Sequence, residues 1–188
     1  MRAAAPSLAT LCLAALTSMA QPSTAAPANG APDGSKGTTG RDTGRVTGLK
    51  LPRFVSLKGD AARMRVGPST DHAVRFVYMA AGLPLELLEE WGNWRLVRDH
   101  DGTTGWMHTA LLSGRRTAIV APWRKDGAEL RSRPSQDAAV TARMQPGVLL
   151  TIGSCGGAWC HATVRNLRTS GHVAQANLWG VYPQEVVE

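Results

Sequence analysis

The sequence predicts an all-β protein in which one small unit is built twice. Three observations carry this. Apolar and polar residues alternate in short runs, as in "FVSLK" (54–58), "AVRFVYM" (73–79) and "WRLVRD" (94–99). That is the period of strands with one buried face. Turn-forming residues separate the runs at Gly67-Pro68, Gly92-Asn93 and Asp101-Gly102, a spacing that suits a small barrel or sandwich. And "RMRVGPSTDHAV" at 63–74 returns as "ELRSRPSQDAAV" at 129–140.

The repeat extends beyond those twelve residues. Setting Met64-Arg65 on Leu130-Arg131 brings Pro68-Ser69 onto Pro134-Ser135, Asp71 onto Asp137 and Val74 onto Val140. After one deletion Gly82 meets Gly147 and Trp94 meets Trp159; the first offset then returns, pairing Gly105 with Gly171 and Leu112 with Leu178. Internal repetition of this kind marks a duplicated structural unit.

Taken from the N-terminus, residues 1–20 read as a secretory signal peptide. Arg2 supplies the positive start, Ala3 to Leu16 an apolar run, and Ser18-Met19-Ala20 a cleavage site with small residues at the required positions. The run is short for a bilayer span, so a cleaved leader is favoured over a retained anchor, and Cys12 leaves with it. No stable membrane insertion is expected after cleavage. Residues 21–50 hold Gly, Ala, Pro, Ser and Thr with no aromatic residue, too little apolar surface to offset ordering entropy, and read as a disordered linker. The first unit is placed at 51–118 and the second, with a C-terminal tail, at 119–188.

Within the units, "LPLELLEEW" (83–91) fits either a strand or a helical turn; Pro84 and its strand-like neighbours favour the strand. "MHTALL" (107–112) ends in one tight helical turn. Thr117 to Ala121 either close the first unit or open the second. Cys155 and Cys160 enclose four residues, two of them glycine, at hairpin spacing. A disulfide in an oxidising compartment is the favoured reading. A zinc or redox pair with His161 is the rival, but it lacks ligands, and no metal is expected.

These residues resemble the bacterial SH3 domain family. The order "MRVGPS", a Gly before a strand, a Trp opening the next strand and then "GWMHTALL" (105–112) is kept in its spacing by the second copy, and "LWGVYP" (178–183) is similar to the end of the tandem periplasmic proteins of proteobacteria. The resemblance covers about residues 51–183. It implies two tandem five-stranded SH3-like barrels, with Trp123 and the "WGVYP" tail as candidates for the seam between them. It also implies a ligand groove beside the loop after the first strand. In the first copy Tyr78, Trp91 and Trp106 would form aromatic walls, with Asp71 and His72 at the lip. The second copy places Met144, Gly156 and His172 at the wall positions, so the first barrel is expected to bind and the second to support it. Trp94 and Trp159, matched in both copies, read as packing residues.

Function then reads as non-catalytic binding in the periplasm or outside the cell. The partner implied by resemblance is a cell-wall peptide of peptidoglycan; the alternative is an adaptor for another envelope protein or an accessory to an envelope enzyme. The formal net charge of +7 favours anionic surfaces, but the arginines are scattered and nucleic acid is not expected as a partner. Nothing supports catalysis. Cys160 and His161 are adjacent, so their side chains diverge on a strand. Asp99, His100 and Asp101 read as a hairpin tip rather than a metal site, and Glu89-Glu90 as a solvated strand end. There is no nucleophile elbow, HExxH or Gly-rich phosphate loop. No cofactor is expected.

Overall fold

A computed structural model describes residues 42–188. The leader expected over 1–20, with Cys12, and residues 21–41 of the linker expected over 21–50 lie outside the described residues. The first sheet is built from β1 (Arg53–Leu57), β2 (Ala62–Arg65), β3 (Val74–Tyr78), β4 (Pro84–Trp91), β5 (Trp94–Arg98), β6 (Thr104–His108) and a two-residue β7 (Leu112–Ser113). The second is built from β8 (Thr117–Val120), β9 (Ala128–Arg131), β10 (Val140–Met144), β11 (Leu149–Gly156), β12 (Trp159–Val164), β13 (Ser170–Ala174) and β14 (Leu178–Trp179). Their strand orders are the same, β3-β2-β6-β5-β4-β1-β7 and β10-β9-β13-β12-β11-β8-β14, so the sequence repeat is a repeat of topology. Each sheet counts seven strands because the entering strand and the short closing strand add to the five expected.

Each sheet curls around its own core. Met64, Leu85, Leu87, Val97 and Met107 fill the first; Leu130, Leu150, Ile152, Ala162 and Val173 fill the second. Core residues recur every second position along each strand, as the alternation required. The segment 83–91 is a strand, with Pro84 at its first residue, where the missing amide costs no ladder bond. "MHTALL" makes a single 3₁₀ turn, Thr109–Leu111, whose first amides are capped by the His108 side chain accepting from the Ala110 N–H at 3.2 Å. β3 departs from its pattern: Val74, Phe76 and Val77 are exposed and only Tyr78 is buried, because this edge strand pairs with β2 alone.

Two boundaries move. Thr117 and Ala118 pair with Thr151 and Leu150, so β8 opens the second sheet and the first ends before Thr117 rather than after Ala118. Residues 42–50, expected to belong to the linker, are also part of the fold. They form a strap closed by a bridge between Thr43 and Lys50, and its amides dock on Glu90.

That docking overturns the reading of Glu90 as solvated. β4 carries a bulge between Leu87 and Glu89, which shifts the inward phase from odd to even positions. Glu90 therefore points inward with its cross-strand partner Arg95 and is fully buried at 0 % exposure, while Glu89 faces out. Gly44 sits on its carboxylate so closely that a Cβ would collide with it.

The two sheets belong to one compact unit and meet through the faces that point away from their cores. Phe54, on the outer face of β1, is buried between Trp179, edge-on with ring centroids 5.3 Å apart, and Tyr182 at 4.7 Å. Trp123 stacks edge-on against Trp179 at 6.3 Å. The Tyr182 hydroxyl donates to Glu86 Oε1 of β4 at 2.9 Å; burial and then the Glu86 charge push its pKa well up. The tail itself is fastened by Arg116, which grips Glu185 through both guanidinium nitrogens at 2.8 and 3.0 Å. The tail candidate thus lies in the seam, while Trp123, about half exposed, stacks on Trp179 of its own barrel.

Candidate functional site

The outer face of the first sheet presents two cross-strand rows. Trp91, Trp94 and His108 lie opposite one another on β4, β5 and β6; Glu89, Leu96, Trp106 and Arg65 form the next row on β4, β5, β6 and β2. Directly opposed side chains on one face stand close enough to touch, and the Trp94 and His108 rings meet edge-on at 5.4 Å. Trp91 is 55 % exposed, with the Arg45 guanidinium over its ring at 5.7 Å.

Where β2 and β6 separate beyond the Arg65–Trp106 bridge, a cleft of about 200 Å³ opens. Trp94 and His108 form one wall; Arg63, Arg65 and Thr70 form the other, with Leu111 at one end. Among the described residues no carboxylate lines it. Arg65 is occupied in holding the loop: its guanidinium donates to the carbonyls of Thr70 at 2.9 Å and His72 at 2.6 Å. Arg131 does the same in the second barrel, donating to the carbonyls of Gln136 at 2.5 Å and Ala138 at 2.7 Å. In each copy one terminal guanidinium nitrogen serves both carbonyls, so the same side chain pins the same loop twice.

The expected groove residues separate into three groups. Trp91 and Trp106 share the outer face and flank Trp94. Asp71 and His72 sit exposed on the loop that Arg65 pins; Asp71 Oδ2 accepts from the Ser69 hydroxyl at 2.9 Å, and the His72 ring lies over Gly67. Tyr78 is not a wall. It is buried at 7 %, and its hydroxyl donates to Asp99 Oδ2 at 2.7 Å, so its ring belongs to the core and its pKa is raised by burial and by Asp99. Asp99 in turn accepts from the amides of Asp101 and Thr103 at 3.1 and 2.8 Å, which makes 98–103 a turn held by its own carboxylate.

Trp94 was read as packing, yet it forms a wall of the cleft, and so does its match. The second barrel has a cleft of about 250 Å³ at the same place, lined by Trp159, Arg131, Gln136 and Ala174. Here Glu129 stands where the first barrel has Arg63, and it pairs with Arg131. Facing positions that hold Trp91, Leu96, Trp106 and His108 in the first barrel hold Gly156, His161, His172 and Ala174 in the second. One face is aromatic and cationic; the other carries smaller side chains and is charge-balanced. The two cysteines lie opposite each other in the β11–β12 register and form a disulfide, with Cα atoms 4.0 Å apart. Cys155 also exchanges both backbone hydrogen bonds with Val187, which ties the C-terminus to the pinned hairpin.

Among the described residues no helix is long and apolar enough to cross a membrane. The family model described as bacterial SH3 domain matches twice, over residues 58–114 and 124–180. No curated protein matches the chain. Among solved structures it is similar to NlpC2 from Trichomonas vaginalis, with 12 % identity and a TM-score of 0.29, over 70 % of this chain and 49 % of that one, so the chain spans about half the length of that protein.

Proposed function

Since this chain belongs to the bacterial SH3 domain family, whose members are commonly cell-wall binding modules found outside the cytoplasm, we propose that it is a non-catalytic periplasmic or secreted module that holds a peptide of the cell wall on the outer face of its first barrel. The observation that carries the reading is the asymmetry between two clefts of common origin. The first keeps a tryptophan wall and adds Trp91, Trp106 and His108 around it, with Arg63 and no carboxylate. An extended peptide bearing carboxylates meets aromatic faces for its backbone and aliphatic parts, and a guanidinium for its charge. Asp71 and His72 stand at the lip to orient an amino group. A disulfide-pinned second barrel that packs on the first through Phe54 serves as its support.

The test is co-sedimentation of the protein with purified peptidoglycan sacculi at low and high salt. Binding through the aromatic face is expected to persist at about 0.5 M salt, where exposed charge attraction is screened. It is expected to fall at least tenfold in Trp94→Ala and Trp106→Ala, since buried aromatic contacts of this kind are worth about 2 kcal/mol or more. Asp137→Ala and His172→Ala, in the second barrel, should bind as the parent does. Absence of pelleting at either salt overturns wall binding and favours an adaptor that docks another envelope protein on the same face.

A further inference from the structure

The seam between the barrels contains a third cleft, of about 260 Å³, that differs in chemistry from the two within the barrels. It arises from the strand phase. Val55, Leu57 and Leu112 point into the first core, so Ser56 and Ser113, which lie opposite each other in register, point towards the second barrel. Ala118, Leu150 and Ile152 point into the second core, so Thr117 and Thr151, also opposite each other, point back towards the first. Two pairs of hydroxyls therefore face each other across the seam, and all four residues line the cleft.

Three cations complete the lining: Lys58 after β1, Arg115 in the link between the sheets and Arg165 in the β12–β13 turn. Among the described residues none of them is ion-paired, and no carboxylate lines the cleft. Neighbouring Arg116 is excluded from this role by its grip on Glu185. Arg165 donates to the Ala81 carbonyl, beside Gly82, whose φ of +82° favours glycine. Ser113 Oγ accepts from the Arg115 amide at 3.1 Å, which leaves its proton free to donate. Thr117 is 4 % exposed, and its hydroxyl has no partner among the described residues. A buried hydroxyl left unpaired is costly, and the three exposed cations give the cleft a positive rim.

We propose that this cleft is a binding site for a phosphoryl group, either inorganic phosphate or the phosphate of a monoester. A carboxylate offers two oxygens and one charge. A phosphate offers three or four oxygens and a charge near −2 at neutral pH, which matches three cations and a ring of hydroxyl donors. The volume is small for an organic ligand and suits an ion or a phosphate protruding from a larger molecule. Occupation would join Lys58 and Ser113 of the first barrel to Thr151 and Arg165 of the second, so binding would also stiffen the pair. This site does not depend on the peptide-binding reading.

The experiment titrates inorganic phosphate, glycerol 3-phosphate and acetate separately into the full chain at constant ionic strength, followed by calorimetry and by thermal melting. Saturable phosphate binding with a rise in Tm is expected, with acetate inert at the same concentration. Arg115→Ala, at an exposed position whose loss leaves the fold intact, is expected to weaken phosphate binding by roughly tenfold or more. Thr117→Val, of equal size, is expected to weaken it several-fold while the circular dichroism stays unchanged. Glycerol 3-phosphate binding as well as the free ion identifies a phosphate carried on a larger molecule; phosphate binding alone identifies the free ion, and both support the site. Equal affinity for acetate, no saturation by tens of millimolar phosphate, or unchanged affinity in Arg115→Ala would each overturn it.

Discussion

Replacing Glu90 by Ala is expected to destabilise the protein by about 3–5 kcal/mol, as removal of one partner from a buried ionic network does, and to free residues 42–50 from the first barrel. The carboxylate accepts from the amides of Val46 and Thr47 at 2.9 and 2.8 Å, from the Thr47 hydroxyl at 2.7 Å and from Arg53 at 2.7 Å. Arg95 stands 3.7 Å away, itself buried. Without the carboxylate, Arg95 would keep its charge with no counterion and the strap would lose its anchor.

The same network sets a pH dependence. Burial alone would raise the Glu90 pKa, but Arg53, the Thr47 hydroxyl and the strap amides outweigh it and bring the group to about 2, from an ordinary 4.5. The folded state thus holds the proton less tightly than the unfolded chain. The resulting stabilisation, roughly 3 kcal/mol, is complete above about pH 4.5 and is lost as pH falls through 2. Denaturant unfolding from pH 7 to pH 2 should show it, with Glu90→Gln giving a flatter profile over that window. Proteolysis within 42–50 should accelerate in both variants. A Glu90→Ala variant within 1 kcal/mol of the parent, its strap still protected, would contradict the anchoring role.

Phe54→Ala is the second large effect, about 3–5 kcal/mol by analogy with aromatic deletions from cores. Phe54 belongs to β1 of the first sheet, yet its ring is enclosed by Trp179 and Tyr182 of the second. Its removal is expected to act on coupling more than on either core, since Val55 and Leu57 remain in place. Calorimetry of the parent should give one cooperative transition, and the variant two. Tyr182→Phe, which removes only the hydrogen bond to Glu86, is expected to cost about 1–2 kcal/mol and to keep a single transition. A single unshifted transition in Phe54→Ala would mean that the barrels are joined by other contacts.

Several of these features could be read from the chain without coordinates. The duplicated spacing of Met64, Pro68, Trp94 and Gly105 specified two copies of one β unit, because turn residues and period-two alternation are local properties. The cysteine pair followed from hairpin spacing for the same reason. Others escaped. Glu90 looked solvated because a bulge between Leu87 and Glu89 reverses which residues face inward, and no residue at that point announces it. Tyr78 looked like a groove wall and Trp94 like a packing residue; their positions follow from which strand lies at the edge and from where β2 and β6 separate. The identity of Trp94 with Trp159 was a usable signal, but it marks a shared wall as well as it marks a shared core.

By itself, then, the sequence determined the fold class, the duplication, the order of elements and the disulfide, all of which depend on neighbours along the chain. The tertiary structure alone decided the anchoring of the strap on Glu90, the aromatic cleft around Trp94 and the facing hydroxyl pairs beneath Lys58, Arg115 and Arg165. Each of those joins residues far apart in the chain, and their meeting depends on strand phase and on how two curved sheets pack, quantities that no local pattern encodes.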